Sequence, residues 1–276
     1  MHARSALFDV YGDHLRERGD AAPVSGLVRL MASLGVTAPA VRTAVSRMVR
    51  QGWLNPVALP GGRGYAATAR CVQRLDEAYA RIYRLATPPW DARWHLVVLE
   101  RVPDRGRRER LRAGLRFLGY ASLADGTWVA ARPAPGLDDL LAGEGVRAER
   151  FFSAYDGDAA AMVGRAWNLA RLADAYERWL ADARQLVRDG HPPLAEPAAR
   201  DEAAFATRCQ LVHEWRKFLF TDPGLPPELL PVGWPGERAA AYFTAEAERL
   251  RPAASRHVDR CLAHPPTPTP PALIME

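Results

Sequence analysis

Between Thr37 and Ala67 the hydrophobic period of the chain changes from helical to alternating. Thr37 suits a helix N-cap and Pro39 a first turn, and the helical run to about Gln51 stops at Gly52. Val41, Val45, Met48 and Val49 share one face of that helix. Arg42, Thr43, Ser46, Arg47 and Arg50 lie largely away from it. The apolar back must pack on neighbours; the front offers guanidinium and hydroxyl groups, which contact guanine edges and phosphates in a major groove. Two short strands follow, Trp53–Leu59 and Arg63–Ala67, around the turn Pro60-Gly61-Gly62. Two more helices precede. Arg4–Leu15 carries Leu7, Phe8, Val10, Tyr11 and Leu15, and Ser25–Leu34 carries Leu27, Val28, Leu30, Met31 and Leu34. Gly19 and Pro23 break the chain between them, and Gly35 and Val36 form the short turn before the third helix. Three helices and a hairpin in this order predict a winged helix-turn-helix, with Arg63 at the wing tip and Tyr65 beside it.

Charge supports a polyanionic partner. Residues 1–86 hold 12 Arg and 6 acids, whereas residues 151–276 carry a net −3. No acid occurs between Asp20 and Asp76, yet seven arginines do. A solvated face normally mixes signs, so a one-signed stretch of this length points to phosphates. Thr68 could cap a further helix to about Leu85, whose Val72, Leu75, Tyr79 and Ile82 form a short seam. That seam fits either packing on its own domain or a two-fold dimer contact.

With 276 residues, 48% of them hydrophobic and 25% charged, the chain reads as a soluble globular protein, its length suggesting two domains with one or three also open. No apolar run reaches the roughly 18 residues of a membrane span. Asp9 and Asp13 interrupt any signal-peptide core, so a cytoplasmic protein is expected. Cys71, Cys209 and Cys261 have no metal or redox spacing, which predicts packing residues in a reducing compartment.

After a linker at Thr87-Pro88-Pro89-Trp90-Asp91, a strand at Trp94–Glu100, a basic helix at Arg105–Leu118, strands at Tyr120–Leu123 and Thr127–Ala131, a helix near Leu137–Leu141 and a strand at Ala148–Tyr155 give the order β-α-β-β-α-β. This is the ferredoxin-like pattern. Arg105, Arg107, Arg108, Arg110, Arg112 and Arg116 form a second basic cluster, diluted by Asp104 and Glu109; a solvated or salt-bridged face is the expectation. Glu100 stands alone at its strand end, which argues against a metal-dependent nuclease. From Ala159 to Arg188 a long helical pattern runs up to Pro192-Pro193, followed by helices at Glu202–Phe220 and within Arg238–Leu262. The Pro/Thr-rich tail from Pro265 is expected to be disordered. The organisation is therefore α+β: a winged helix with a linker helix over 1–86, a ferredoxin-like middle domain over 87–157, a helical effector or dimerisation domain over 158–264, and a tail over 265–276.

Several runs resemble the PaaX-type phenylacetic acid degradation repressors. Arg4-Ser5-Ala6-Leu7 with Tyr11-Gly12-Asp13 is similar to their opening helix, Val41–Leu54 to their recognition helix, and Trp90-Asp91-Ala92-Arg93-Trp94 to the start of their middle domain. The most specific run is Leu211–Pro231 followed by Gly233-Trp234-Pro235-Gly236. The resemblance covers residues 4 to 264. It implies a dimeric transcriptional repressor with a CRISPR-associated Cas2-like middle domain, responsive to an aryl-CoA thioester such as phenylacetyl-CoA and controlling aromatic catabolism. Two winged helices would present Arg42, Thr43, Ser46, Arg47 and Arg50 to adjacent major grooves of a palindromic operator, with Arg63 and Tyr65 adding wing contacts. The effector is expected near the helical C-terminal domain, where Trp167, Tyr176, Arg208, His213, Trp215 and Arg216 could meet CoA phosphates or stack on an acyl group. The wing tip lacks the serine often seen beside the wing arginine in this family, and the tail is extra, so the operator and the effector stay open. A different acyl-CoA, and hence another pathway, is the nearest alternative. A thioesterase or an RNA-binding module is a more distant one: the chain has no Gly-x-Ser-x-Gly, His-Glu-x-x-His or P-loop motif, and His213-Glu214 is a lone pair in a helix. No catalytic residue, cofactor or metal is expected.

Overall fold

The computed structural model describes residues 1–59, 62–83, 89–190 and 196–263. The Pro60-Gly61 turn, residues 87–88 of the linker, Leu85, Pro192-Pro193 and the Pro/Thr tail lie outside the described residues. The chain divides into two compact units. One holds residues 1–83 with the described parts of 183–213 and 244–263; the other holds 89–182 and 214–243.

In the first unit, α1 (Ala3–Val10) passes into a π turn at Tyr11–Leu15 and a 3-10 turn at Arg16–Arg18. The sequence predicts one continuous α-helix to Leu15. The wider turn begins beside Gly12, and it buries Tyr11, His14 and Leu15 together. Next come β1 (Ala21–Pro23), α2 (Val24–Ala32), α3 (Ala38–Arg50), β2 (Leu54–Leu59), β3 (Gly62–Ala67) and α4 (Ala69–Ile82). The hairpin is antiparallel from Leu54↔Ala67 to Leu59↔Gly62, and β1 adds to its other edge to give the order β1-β3-β2. The sequence reading has only a chain break where β1 lies, because three residues ending in proline carry no strand pattern of their own. Gly52 ends α3 with φ +72°, a left-handed conformation that a side chain disfavours.

The core of this unit joins Leu7, Val10, Tyr11, Leu27, Leu30, Met31, Val41, Val45, Met48 and Leu54 to Phe205 and Cys209 of α9 (Pro197–Trp215) and to Ala254, Val258 and Cys261 of a later helix, Pro235–Leu262. Leu75 of α4 lies in the same core, so the α4 seam packs on its own unit. Cys71, Cys209 and Cys261 are all buried free thiols.

In the second unit, β4 (Trp94–Leu99), α5 (Arg105–Phe117), β5 (Ala121–Ala124), β6 (Thr127–Ala130), α6 (Leu137–Glu144) and β7 (Ala148–Ser153) follow in sequence. The sheet order is β5-β6-β4-β7 with antiparallel neighbours, the ferredoxin-like arrangement. One face packs Val97 and Trp128 on Leu111, Leu115, Leu137 and Leu141 of its two helices. The other packs Trp94 and Val129 on Met162 and Val163 of α7 (Ala159–Ala166). The helix predicted to run unbroken from Ala159 to Arg188 is interrupted at Trp167-Asn168. Trp167 is extended (φ −121°, ψ 143°), its indole N–H donates to the Gly119 carbonyl (3.2 Å), and Asn168 Oδ1 caps α8 (Leu169–Asp189) by accepting from the Arg171 N–H (3.0 Å). The predicted Glu202–Phe220 helix starts earlier, at Pro197, and its last five residues, Arg216–Phe220, tighten to 3-10 form. The remaining helix is α10, Pro235–Leu262.

Candidate nucleic-acid interface

The two faces of α3 separate as its residue pattern requires. Val41, Ala44, Val45 and Met48 are buried, with Val49 half-buried. Arg42, Thr43, Ser46, Arg47 and Arg50 are all exposed. Among the described residues neither Arg42 nor Arg47 has a carboxylate partner, and Arg50 donates only to the Ser46 hydroxyl (3.3 Å). A solvated face normally mixes signs; among the described residues no acid pairs with this row, so the guanidinium groups face solvent as a positive row.

On the hairpin, Arg63 is exposed and lies opposite Ala58, with its Cζ 5.8 Å from the Tyr65 ring centroid. Tyr65 is half-buried against the core, and its carbonyl accepts from the Tyr11 hydroxyl (2.9 Å). The ring thus supports Arg63 from the core side. The other arginines of the acid-free stretch have different employment. Arg29 donates to the Cys261 and Ala263 carbonyls, Arg70 lies over the Trp53 ring (4.6 Å) and Arg74 pairs with Glu77 (3.6 Å).

The effector candidates do not form one group. Arg208 and His213 belong to the first unit, and Trp167, Tyr176, Trp215 and Arg216 to the second. Arg208 is 2% exposed, and its guanidinium is committed to the Asp13 carboxylate (2.7 and 2.9 Å), the Tyr83 hydroxyl (2.8 Å) and the Ala247 carbonyl. Burial opposes ionisation of Asp13, but His14 and Arg208 outweigh it and hold the carboxyl below its ordinary range. Burial pushes the His14 imidazole down to about 4. His213 Nδ1 lies 2.6 Å from Asp9 Oδ2. In the sequence Asp9 and Asp13 mark only an interrupted apolar run. Their position on the buried side of a helix was the available signal that each needed a partner.

Tyr176 and Trp215 come within 5.9 Å of each other in an aromatic cluster. Tyr176 stacks on Phe218 (4.0 Å) and its hydroxyl donates to Asp222; Trp215 stacks on Phe243 (4.9 Å). These rings pack on one another rather than line an open slot. Beside Arg208 lies a cavity of about 220 Å³, bordered by Arg16, Arg18, Tyr79 and Arg251. Arg16 pairs with Asp76, Arg18 with Asp259 and Arg251 with Glu248, so its cations are balanced by acids from the chain itself. In the second basic cluster Arg107 and Arg108 bond backbone carbonyls, Arg110 pairs with Glu144 and Arg112 with Glu109, the salt-bridged face expected of it. No group of acids, histidines or cysteines among the described residues could hold a metal ion, and no helix there is long and apolar enough to cross a membrane.

Fold and surface define a class: three helices and a three-stranded antiparallel sheet with an exposed arginine face, a ferredoxin-like second element and helical C-terminal sequence. Family models match in three places: "PaaX-like protein" over residues 2–67, "PaaX protein central Cas2-like domain" over 87–160, and "PaaX-like protein C-terminal domain" over 167–260. The chain is 30% identical over 263 residues to the transcriptional repressor PaaX of Escherichia coli (strain K12), covering 91% of this chain and 81% of that protein. The fold is shared with the uncharacterized protein Rv0674 from Mycobacterium tuberculosis (TM-score 0.64, 24% identity, 95% of this chain and 99% of that one). The chain belongs to the PaaX family and is a homologue of a transcriptional repressor.

Proposed function

We propose that this protein is a DNA-binding transcriptional repressor that reads its operator with α3 and the β2–β3 wing. The observation that carries this reading is the exposed, acid-free row Arg42, Thr43, Ser46, Arg47 and Arg50, backed by buried valines. Arg63 adds a wing contact, with Tyr65 beside it. The protein acts as a homodimer, because a helix-turn-helix gains affinity and length of readout from two half-sites. An aryl-CoA thioester of the phenylacetyl-CoA type releases it from a promoter of aromatic catabolism. Release requires that the effector favour the DNA-incompetent arrangement, by about 5.5 kcal/mol to reverse occupancy from 99:1 to 1:99. Residues 1–86 serve DNA binding, 87–157 the middle domain, and 158–264 effector sensing and dimerisation. The protein is a cytoplasmic, non-catalytic regulator without a cofactor. Arg208, Tyr176 and Trp215 serve the interior in this reading and His213 is tied to Asp9, which leaves Trp167 and Arg216 of the second unit for effector recognition.

The test is a footprint on the DNA upstream of its own gene, with and without a panel of CoA thioesters, followed by titration of Arg47→Ala. That substitution should weaken operator binding by about 1–3 kcal/mol if Arg47 contacts a base. Unchanged affinity would remove Arg47 from the reading face, and the absence of any protected site would sink the repressor reading.

A further inference from the structure

We infer that Arg4 and Arg70 form a sequence-independent clamp on the DNA backbone beside the reading helix. The inference rests on the DNA-binding reading above and adds a phosphate-contacting site to it.

Four side chains of the first unit form a continuous ladder. The Arg4 guanidinium lies over the Phe8 ring (5.7 Å), Phe8 meets Trp53 edge to face (5.5 Å), and Arg70 lies over the other end, on Trp53 (4.6 Å). The ladder is built onto the C-terminal end of α3. Trp53 directly follows the terminating Gly52, and its N–H donates to the Met48 carbonyl (2.9 Å). The start of α4 is tied to the same place: the Thr68 hydroxyl donates to the Gly52 carbonyl (2.9 Å), and the Thr68 N–H to that of Trp53 (3.0 Å). The ladder therefore borders the turn of α3 that carries Arg50.

Both guanidinium groups are exposed, and neither has a carboxylate or hydrogen-bond partner among the described residues. Resting on a ring restricts each side chain in advance, so less freedom is lost when it meets an anion. Their positions are unfavourable for the folded chain alone. Each is the second residue of its helix, at the positive end of the helix dipole, where a cation is disfavoured. No acid occupies the first turn of α1, α2, α3 or α4 to offset this. An external phosphate removes the conflict at both arginines. Backbone phosphate is the occupant, rather than base edges, because the reading residues of α3 already face outward on the neighbouring surface. Arginines that meet only phosphates set register and affinity without choosing sequence.

The test uses the full-length protein and a random-sequence duplex, with affinity followed by fluorescence anisotropy from about 50 to 200 mM KCl. Each phosphate contact contributes about 0.9 to the slope of log K against log salt. Arg4→Gln/Arg70→Gln should lower that slope by about 1.8 per bound protomer, so its affinity falls about 12-fold less across this range than the wild type's. Arg4→Lys/Arg70→Lys should restore most of the slope, since charge and not ring stacking sets it. An unchanged slope in the glutamine variant overturns the clamp, as does failure of the lysine variant to regain any of it. Arg47→Gln on footprinted operator DNA is the parallel arm. Loss of operator affinity there with an unchanged slope in the clamp variant removes the clamp alone. Absence of binding to any duplex by the wild type removes both readings.

Discussion

Replacing Asp13 by Asn should cost the first unit about 3–5 kcal/mol, the range for stranding one half of a buried ion pair. Asp13 and Arg208 have side chains 5% and 2% exposed, so solvent screens the pair very little. The Asp13 carboxylate accepts from Arg208 Nε (2.7 Å), Arg208 Nη2 (2.9 Å) and the Tyr83 hydroxyl (2.6 Å). Asparagine removes the negative charge and turns one acceptor into an NH₂ group that must face these donors. The guanidinium cannot escape by losing its proton, because an arginine side chain keeps its charge even when buried. The loss is a large share of the roughly 5–15 kcal/mol that hold a domain folded. Urea unfolding followed by far-UV circular dichroism measures it. Arg208→Met should cost a similar amount, by leaving the carboxylate buried alone. The double variant removes both charges, so the two effects should couple by about 2–3 kcal/mol. A cost for Asp13→Asn below about 1 kcal/mol, or additivity of the two substitutions within about 0.5 kcal/mol, would refute the assignment of this pair as a structural tie.

Three further outcomes follow from buried groups and close packing. His14, pushed by burial to about 4 in the folded state, ionises nearer 6.5 when unfolded. Its folded value is the lower, so its stabilisation is complete above about pH 6.5 and is lost as pH falls toward 4, by about 3 kcal/mol in all. His14→Gln should flatten the acid side of the pH–stability curve, though not abolish it, because burial also lowers His95 and His257; an acid limb as steep as the wild type's would count against this. A Cβ on Gly64 would lie 2.7 Å from the Ala22 carbonyl and 2.4 Å from Leu59 Cδ1, so Gly64→Ala should cost about 1–3 kcal/mol and weaken DNA binding by distorting the wing; a wild-type urea midpoint would show that the three strands pack more loosely than they do here. Thr68→Ala removes the cap on the Cys71 N–H (3.2 Å) and the bond to the Gly52 carbonyl, and a loss of about 1 kcal/mol in the same assay is expected. No loss would mean that neither bond persists in solution.

Much of this protein is written in local order. The valines of α3 recur at helical spacing, so its buried back and arginine front follow from residue pattern, and the hairpin follows from alternation around two glycines. The middle segment was legible for the same reason: each strand and helix carries its own period, and the β-α-β-β-α-β order leaves few ways to close a sheet. What depended on distant residues could not be read. Strand β1 exists because β3 offers it an unpaired edge. By residue type Arg208 suits CoA phosphates, yet its carboxylate partner lies 195 residues earlier in the chain, at Asp13. Arg4, Phe8, Trp53 and Arg70 are scattered in sequence, and only folding lines them up. Periodicity declares which face of an element must be hidden, because water acts on each residue where it stands. Which charge neutralises which, and which arginines are left facing outward, depends on distances in space, and those exist only once the chain has folded.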